Sequence, residues 1–201
     1  MPTEEEIFSA RNLAEISALI SRCERCDLHK SKNKDVPGTG NPQAKVLFIG
    51  EAPGKDEDLK GEPFVGAAGK FLTEMIEDIG WTREDVFIAN VLKHRPPNNR
   101  DPLPNEIDAC WPYLYRQIEI INPALIVFLG RHAMQRFFPS FSISKVHGQA
   151  FRKTLGGKPR VFLALYHPLA ASRFPKIGKI TKKDFRKLPK ILNDIETSKI
   201  E

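Results

Sequence analysis

Four short apolar runs rich in β-branched residues punctuate the chain: Lys45 to Gly50, Val86 to Asn90, Leu125 to Gly130 and Val161 to Tyr166. Continuous apolar runs of this length are the signature of strands covered on both faces. Between them the pattern takes a helical period. Ala68 to Ile79 is amphipathic, Pro104 to Ile121 opens on a proline with an acidic first turn, and Arg131 to Phe137 follows the third run. Alternation of strand and helix predicts a parallel sheet with helices on both faces, an α/β/α sandwich. Ligands of such sheets bind outside the carboxyl ends of the strands. Three segments fall there: Glu51 to Gly54, Asn90 to Arg100, and His167. No internal repeat, low-complexity tract or long linker interrupts the 201 residues, so one domain over 1–201 is expected, with a segment of about 1–44 before the first strand and a basic helix of about 181–198 closing it.

Composition narrows the class. Hydrophobic residues make up 41% and charged residues 28%, a globular balance, and no apolar run approaches the ~20 residues of a membrane span. The acidic start MPTEEEIFSARNLAEISALI lacks the basic opening and cleavage site of a secretory signal, so a cytoplasmic location is expected. Three cysteines, two of them as Cys23-x-x-Cys26, read inside a cell as metal or redox chemistry rather than a disulfide framework. The net charge of +6 permits a polyanionic partner. Much of the excess sits in RFPKIGKITKKDFRKLPK after Ser172, which on charge alone reads as a solvated amphipathic helix.

The first strand runs into GEAPGKDEDLKGEPFVGAAG, residues 50–69. This is neither a Walker nor a dinucleotide fingerprint, because Gly-Lys-Ser/Thr is missing and Asp56, Glu57 and Asp58 would repel a nucleotide phosphate. Acids there suit handling a water or a base edge. Phe64, between Pro63 and Gly66, is either a core residue or a stacking platform for a flat ring, and its strand-end setting favours the platform. Asn90 has one donor and one acceptor to offer a base edge, or caps a turn. His167 is either a structural histidine or a strand-end catalytic group.

These segments, with IANVLKHRPPNNRDPLPNEIDAC and HPLAASR, resemble the three signature regions of the family 4 uracil-DNA glycosylases; the similarity covers roughly Leu19 to Arg173. The resemblance implies an α/β/α domain with a central four-stranded parallel sheet, a 4Fe-4S cluster, and hydrolysis of the N-glycosidic bond of deoxyuridine in single- or double-stranded DNA by a monomeric, monofunctional enzyme. It assigns Phe64 to stacking on extruded uracil, Asn90 to the uracil edge, and His167 to donating to uracil O2 as charge collects on the leaving base. Glu51 and Glu57 match family acids that handle water, and Asn99 falls near the water or the flipped nucleotide. Ala52, in the substrate wall, departs from the Asp found there in other uracil glycosylases. Lys93, Arg95, Arg100, Leu169 and Arg173 are expected on the DNA. The Ala170-Ala171 wedge is small, with Leu169 or Phe174 to compensate.

The family's cluster takes four cysteines; this chain offers Cys23, Cys26, Cys110 and, in the remaining position, His94. Imidazole replaces thiolate in Rieske centres, so a Cys3His cluster is the expectation. A structural zinc ion or a metal-free set of buried thiols are the alternatives. Three Cys and one His also resemble the cross-linking X-type glycosylases, but the loop PPNNRDPLPN lacks the histidine that captures the sugar, so turnover is expected. Two other functions stay open: a non-catalytic Fe-S DNA-binding module, and a glycosylase for another deaminated base such as hypoxanthine.

Overall fold

In the computed structural model, which describes residues 1–197, six strands form one sheet in the order β1-β3-β2-β4-β6-β5. They are β1 (Thr39–Gly40), β2 (Val46–Gly50), β3 (Phe87–Asn90), β4 (Leu125–Leu129), β5 (Ala150–Leu155) and β6 (Lys158–Leu165). The four apolar runs are the central strands, all parallel. Two edge strands extend the expected four to six, and both pair antiparallel. Their sequences carry no apolar run: β1 has two residues and β5 exposes Arg152, Lys153 and Thr154. Such short or polar edges resist pairing with other chains.

Ten helices surround the sheet among the described residues. They are α1 (Glu4–Ser9), α2 (Leu13–Ser21), α3 (Lys55–Lys60), α4 (Ala67–Asp78), α5 (Pro104–Ile121), α6 (Arg131–Phe137), α7 (Ile143–Val146), α8 (Pro168–Arg173), α9 (Pro175–Phe185) and α10 (Leu188–Glu196). The three predicted helices match α4, α5 and α6 to within a residue. Successive strand side chains alternate between the faces. Leu47, Ile49, Ile126, Phe128 and Phe162 pack towards α5 and α6, whereas Val46, Phe48, Val127, Leu163 and Leu165 share a core with Leu72, Ile76 and Phe185. A third cluster, Ile7, Ile16, Ile20 and Cys23 around Tyr113, fastens the N-terminal segment to the back of α5. No helix among the described residues is long and apolar enough to cross a membrane.

The basic tail expected as one helix over about 181–198 is two, and Ser198 lies outside the described residues. Pro189 has no N–H and its ring would meet the carbonyl of Phe185 one turn back, so α9 stops and α10 restarts with Pro189 in its first turn. The lysines of α9 are exposed, while Phe185 is buried and stacks on Phe48 with 5.5 Å between centroids and 3° between planes. Asp184 adds a 2.5 Å contact to His147 and a 2.7 Å contact to Lys187. Phe185→Ala is expected to cost about 3–5 kcal/mol in urea unfolding. Lys183→Ala, on the same helix, should stay within about 0.5 kcal/mol.

Candidate active site

Glu51, Asn90 and His167 follow or close β2, β3 and β6, so the sheet brings them to one end, where they line a cleft of about 450 Å³ with Ala52, Phe64 and Asn99. The strand-end rule therefore finds the cleft. Gly50 sets how closely its walls approach: a Cβ there would lie 2.3 Å from Asn90 Oδ1 and 2.6 Å from the Phe64 ring. Asn90 is 2% exposed, and its Oδ1 is buried with no hydrogen-bond partner. A buried unmet acceptor costs about 1–3 kcal/mol, so a donor supplied by a ligand would satisfy a standing demand.

Phe64 reaches the cleft through a left-handed backbone, φ 54°, unfavourable for a residue with a Cβ. Arg83 braces it, donating to Pro63 O at 2.8 Å and Phe64 O at 3.1 Å. Gly69 completes the turn, because a Cβ there would sit 1.8 Å from Phe64 O. The Phe64 ring lies 5.9 Å from the His167 ring, tilted by 33°.

His167 caps α8: its Nδ1 accepts from Leu169 N–H at 3.1 Å. That bond fixes the neutral tautomer with the proton on Nε2. Burial, with a smaller push from His132, lowers its pKa to about 4, so the ring is a neutral donor at pH 7. Glu51 shows the opposite shift: burial, reinforced by Asp101, raises it to about 7.

The two candidate acids separate here. Glu57 gives Oε1 to the Val65 and Gly66 N–H groups, both at 2.9 Å, and Oε2 to Gly54 N–H at 3.1 Å. It pins the loop that carries Phe64, and its oxygens are committed. Glu51 accepts no hydrogen bond of this kind and faces the cleft.

One residue expected on DNA is corrected. Lys93 is 1% exposed, its Nζ donating to Asn90 O at 2.8 Å and Gln117 Oε1 at 2.7 Å, and burial lowers its pKa to about 7. It supports the strand end from beneath and reaches no solvent. Arg100 grips Glu106 through two bonds of 2.9 and 2.6 Å, which stiffens the start of α5. Arg95 holds Asn99 Oδ1 at 2.7 Å, orienting that residue at the rim. Leu169 and Arg173 line the opposite rim, and Phe174 beyond them is 61% exposed.

Cys26, Cys110 and His94 are neighbours, and Cys23 lies beside Tyr113, one turn of α5 from Cys110. His94 Nε2 meets Asp35 Oδ1 at 3.0 Å, while its Nδ1 is buried without a hydrogen-bond partner on the side of Cys26. A carboxylate on one imidazole nitrogen with the other left free is how metal-ligating histidines are oriented. The neighbouring Cys110 thiol, with a smaller contribution from the nearby His94, also pulls the Cys26 thiol well below its ordinary pKa, towards the thiolate a metal needs. The donor set thus fits a metal group. Segment 33–37 is sewn to it by Val36 N–H to Lys93 O at 2.9 Å, Asn33 N–H to Asp58 at 2.9 Å, and Gln117 to Pro37 O at 2.7 Å.

Sequence reasoning missed Arg83, Asp35, Asp101 and His132. Arg83 and Asp35 act on partners 19 and 59 positions away and leave no local signal. His132 had one: it lies three residues past the end of β4, where the same strand-end rule applied.

The profile of the Uracil DNA glycosylase superfamily matches residues 37–195. A type-4 uracil-DNA glycosylase of Archaeoglobus fulgidus is 52% identical over 88% of this chain and 92% of its own length. That of Saccharolobus solfataricus is 47% identical over 90% and 87%. A Thermotoga maritima type-4 enzyme is 42% identical over 93% and 95%. With the cleft at the parallel strands' carboxyl ends and a profile spanning most of the chain, this protein belongs to the type-4 uracil-DNA glycosylases of the uracil-DNA glycosylase superfamily.

Proposed function

We infer that this chain excises uracil from DNA by hydrolysing the bond between uracil N1 and the deoxyribose C1′, leaving an abasic site. The observation that carries the reading is Asn90 Oδ1, a buried unpartnered acceptor beside the Phe64 ring. A flat base with an N–H on its edge, as uracil has at N3, satisfies that acceptor while its face meets Phe64.

The remaining residues divide the work by charge. As the C1′–N1 bond breaks, its electron pair passes into the uracil ring, and a neutral His167 Nε2–H can donate to O2, where charge collects. The sugar develops positive character, and water bonds to C1′ while giving its proton to Glu51. A carboxyl poised near neutrality is suited to that exchange. Asn99, oriented by Arg95, stands on the side where the water or the flipped nucleotide enters. Arg95 and Arg173 remain for phosphates.

Cys23, Cys26, Cys110 and His94 would hold a 4Fe-4S cluster. When bound it supplies structural cross-linking between the N-terminal segment and the loop after β3, since hydrolysis transfers no electron. A single zinc ion fits less well: its donors sit 2.0–2.3 Å from the metal and crowd together. Among the described residues, the group of three or more such donor atoms within 4.8 Å of one another is Glu51, Asp101 and His132, so the cysteine set is more widely spaced.

Purified protein should convert uracil-containing oligonucleotides to alkali-labile sites, and no cleavage of any such substrate would overturn the reading. Asn90→Ala and His167→Ala should each slow single-turnover excision by about 10²–10³-fold with cooperative thermal unfolding retained, His167→Ala at a slightly lower temperature for the lost cap of α8. For the metal, His94→Ala should lower iron per protein and the visible charge-transfer absorption, while His94→Cys retains both; bound zinc with no visible absorption would favour the zinc alternative. If Phe174 compensates for the small Ala170-Ala171 wedge, Phe174→Ala should slow excision from duplex more than from single strands.

A further inference from the structure

Glu51 faces a cluster that the excision chemistry leaves unexplained. Its Oε2 lies 3.8 Å from His132 Nε2, which in turn lies 3.5 Å from Asp101 Oδ2. The three groups come from three elements: the end of β2, the loop before α5, and the first turn of α6. Arg131 Nε donates to His132 Nε2 at 3.0 Å, so that nitrogen is an acceptor turned towards both carboxylates. The other charges around the cleft are accounted for. Glu57 is held by backbone N–H groups, Arg100 by Glu106, and His167 is neutral. Lys55 and Asp56 on α3 and Arg173 on α8 line the same cleft. Asp101 and Arg131 act on Glu51 in opposite directions.

We propose that His132 is a positioning residue for Glu51: from 3.8 Å away its imidazole takes up the proton that Glu51 Oε2 must lose, giving the ionised carboxylate that accepts the proton of the attacking water. The inference rests on Glu51 as the water-handling acid. The balance closes without a co-reactant. Water oxygen bonds to C1′, its proton joins Glu51, the C1′–N1 pair leaves with uracil, and the proton on His132 passes to solvent, from which the uracil anion is neutralised.

Three observations favour this. No other base lies as close to Glu51 among the contacts described, and the side chain of His132 is 26% exposed, which gives the proton a way out. Arg131, 61% exposed and paired with Asp101 at 3.6 Å, is held at the surface and can give up Nε2 while keeping that pairing; the new N–H of Nε2 then turns to Asp101. Burial moves Glu51 up to about 7 and His132 below its ordinary value, so the resting proton sits on Glu51 and the imidazole beside it is a neutral base.

The test is the pH profile of single-turnover uracil excision. Glu51 must be ionised, so the rate falls as pH falls through its titration. His132→Gln removes the proton acceptor; the acidic midpoint is expected to rise by about one pH unit, with the alkaline plateau kept. His132→Lys, a fixed cation, should move it down and serves if the Gln variant folds poorly. A loss by the same factor at every pH, or midpoints unmoved in both variants, overturns the role of His132. Glu51→Gln separates this from the underlying reading: if it is inactive while the His132 variants keep the wild-type midpoint, only the inference fails. If it retains wild-type activity, Glu51 is not the water-handling acid and the inference falls with it.

Discussion

The buried oxygen of Asn90 with no partner is the constraint around which the cleft is organised. An acceptor in that state is tolerable only if the surroundings hold it still and keep water from relaxing it. Gly50 lets the Asn90 side chain and the Phe64 ring converge, and the Lys93 amine fixes the Asn90 carbonyl from below. A stable strand end, rather than a mobile loop, thus presents the polar atom that reads the base. Geometry of this kind is held by the whole parallel sheet, which explains why the apolar runs and the site are inseparable.

Electrostatic contrast follows from the same burial. His167 and Glu51 lie across one cleft, yet desolvation moves their pKa values in opposite directions because each is pushed towards its uncharged form. The imidazole becomes a dependable neutral donor, and the carboxyl becomes exchangeable near neutrality. Neither property needs a metal or a second protein chain.

Much of this was legible in the sequence. The four parallel strands announced themselves as apolar runs, the strand-end rule located Glu51, Asn90 and His167, and the Pro-Phe-Val-Gly loop pointed to Phe64. Edge strands were not legible, because β5 alternates polar residues and β1 is a two-residue pairing. Lys93 was misread because a basic residue beside an Arg-Pro-Pro loop looks solvent-facing until a buried acceptor, Gln117, is found in a helix. Glu57 and Glu51 are indistinguishable as letters; only the three backbone N–H groups around Glu57 tell them apart. The cleft's supporting residues act across long sequence separations, where local patterns carry nothing.

The bracing of Phe64 separates backbone from side chain. Arg83 holds the carbonyl oxygens of residues 63 and 64, and Glu57 holds the amides of 65 and 66, so the unfavourable turn is maintained without reference to the ring it carries. The turn is thus fixed by four backbone hydrogen bonds, and the ring by its packing against the core, so the surface offered to the base and the backbone that carries it are held by separate sets of contacts.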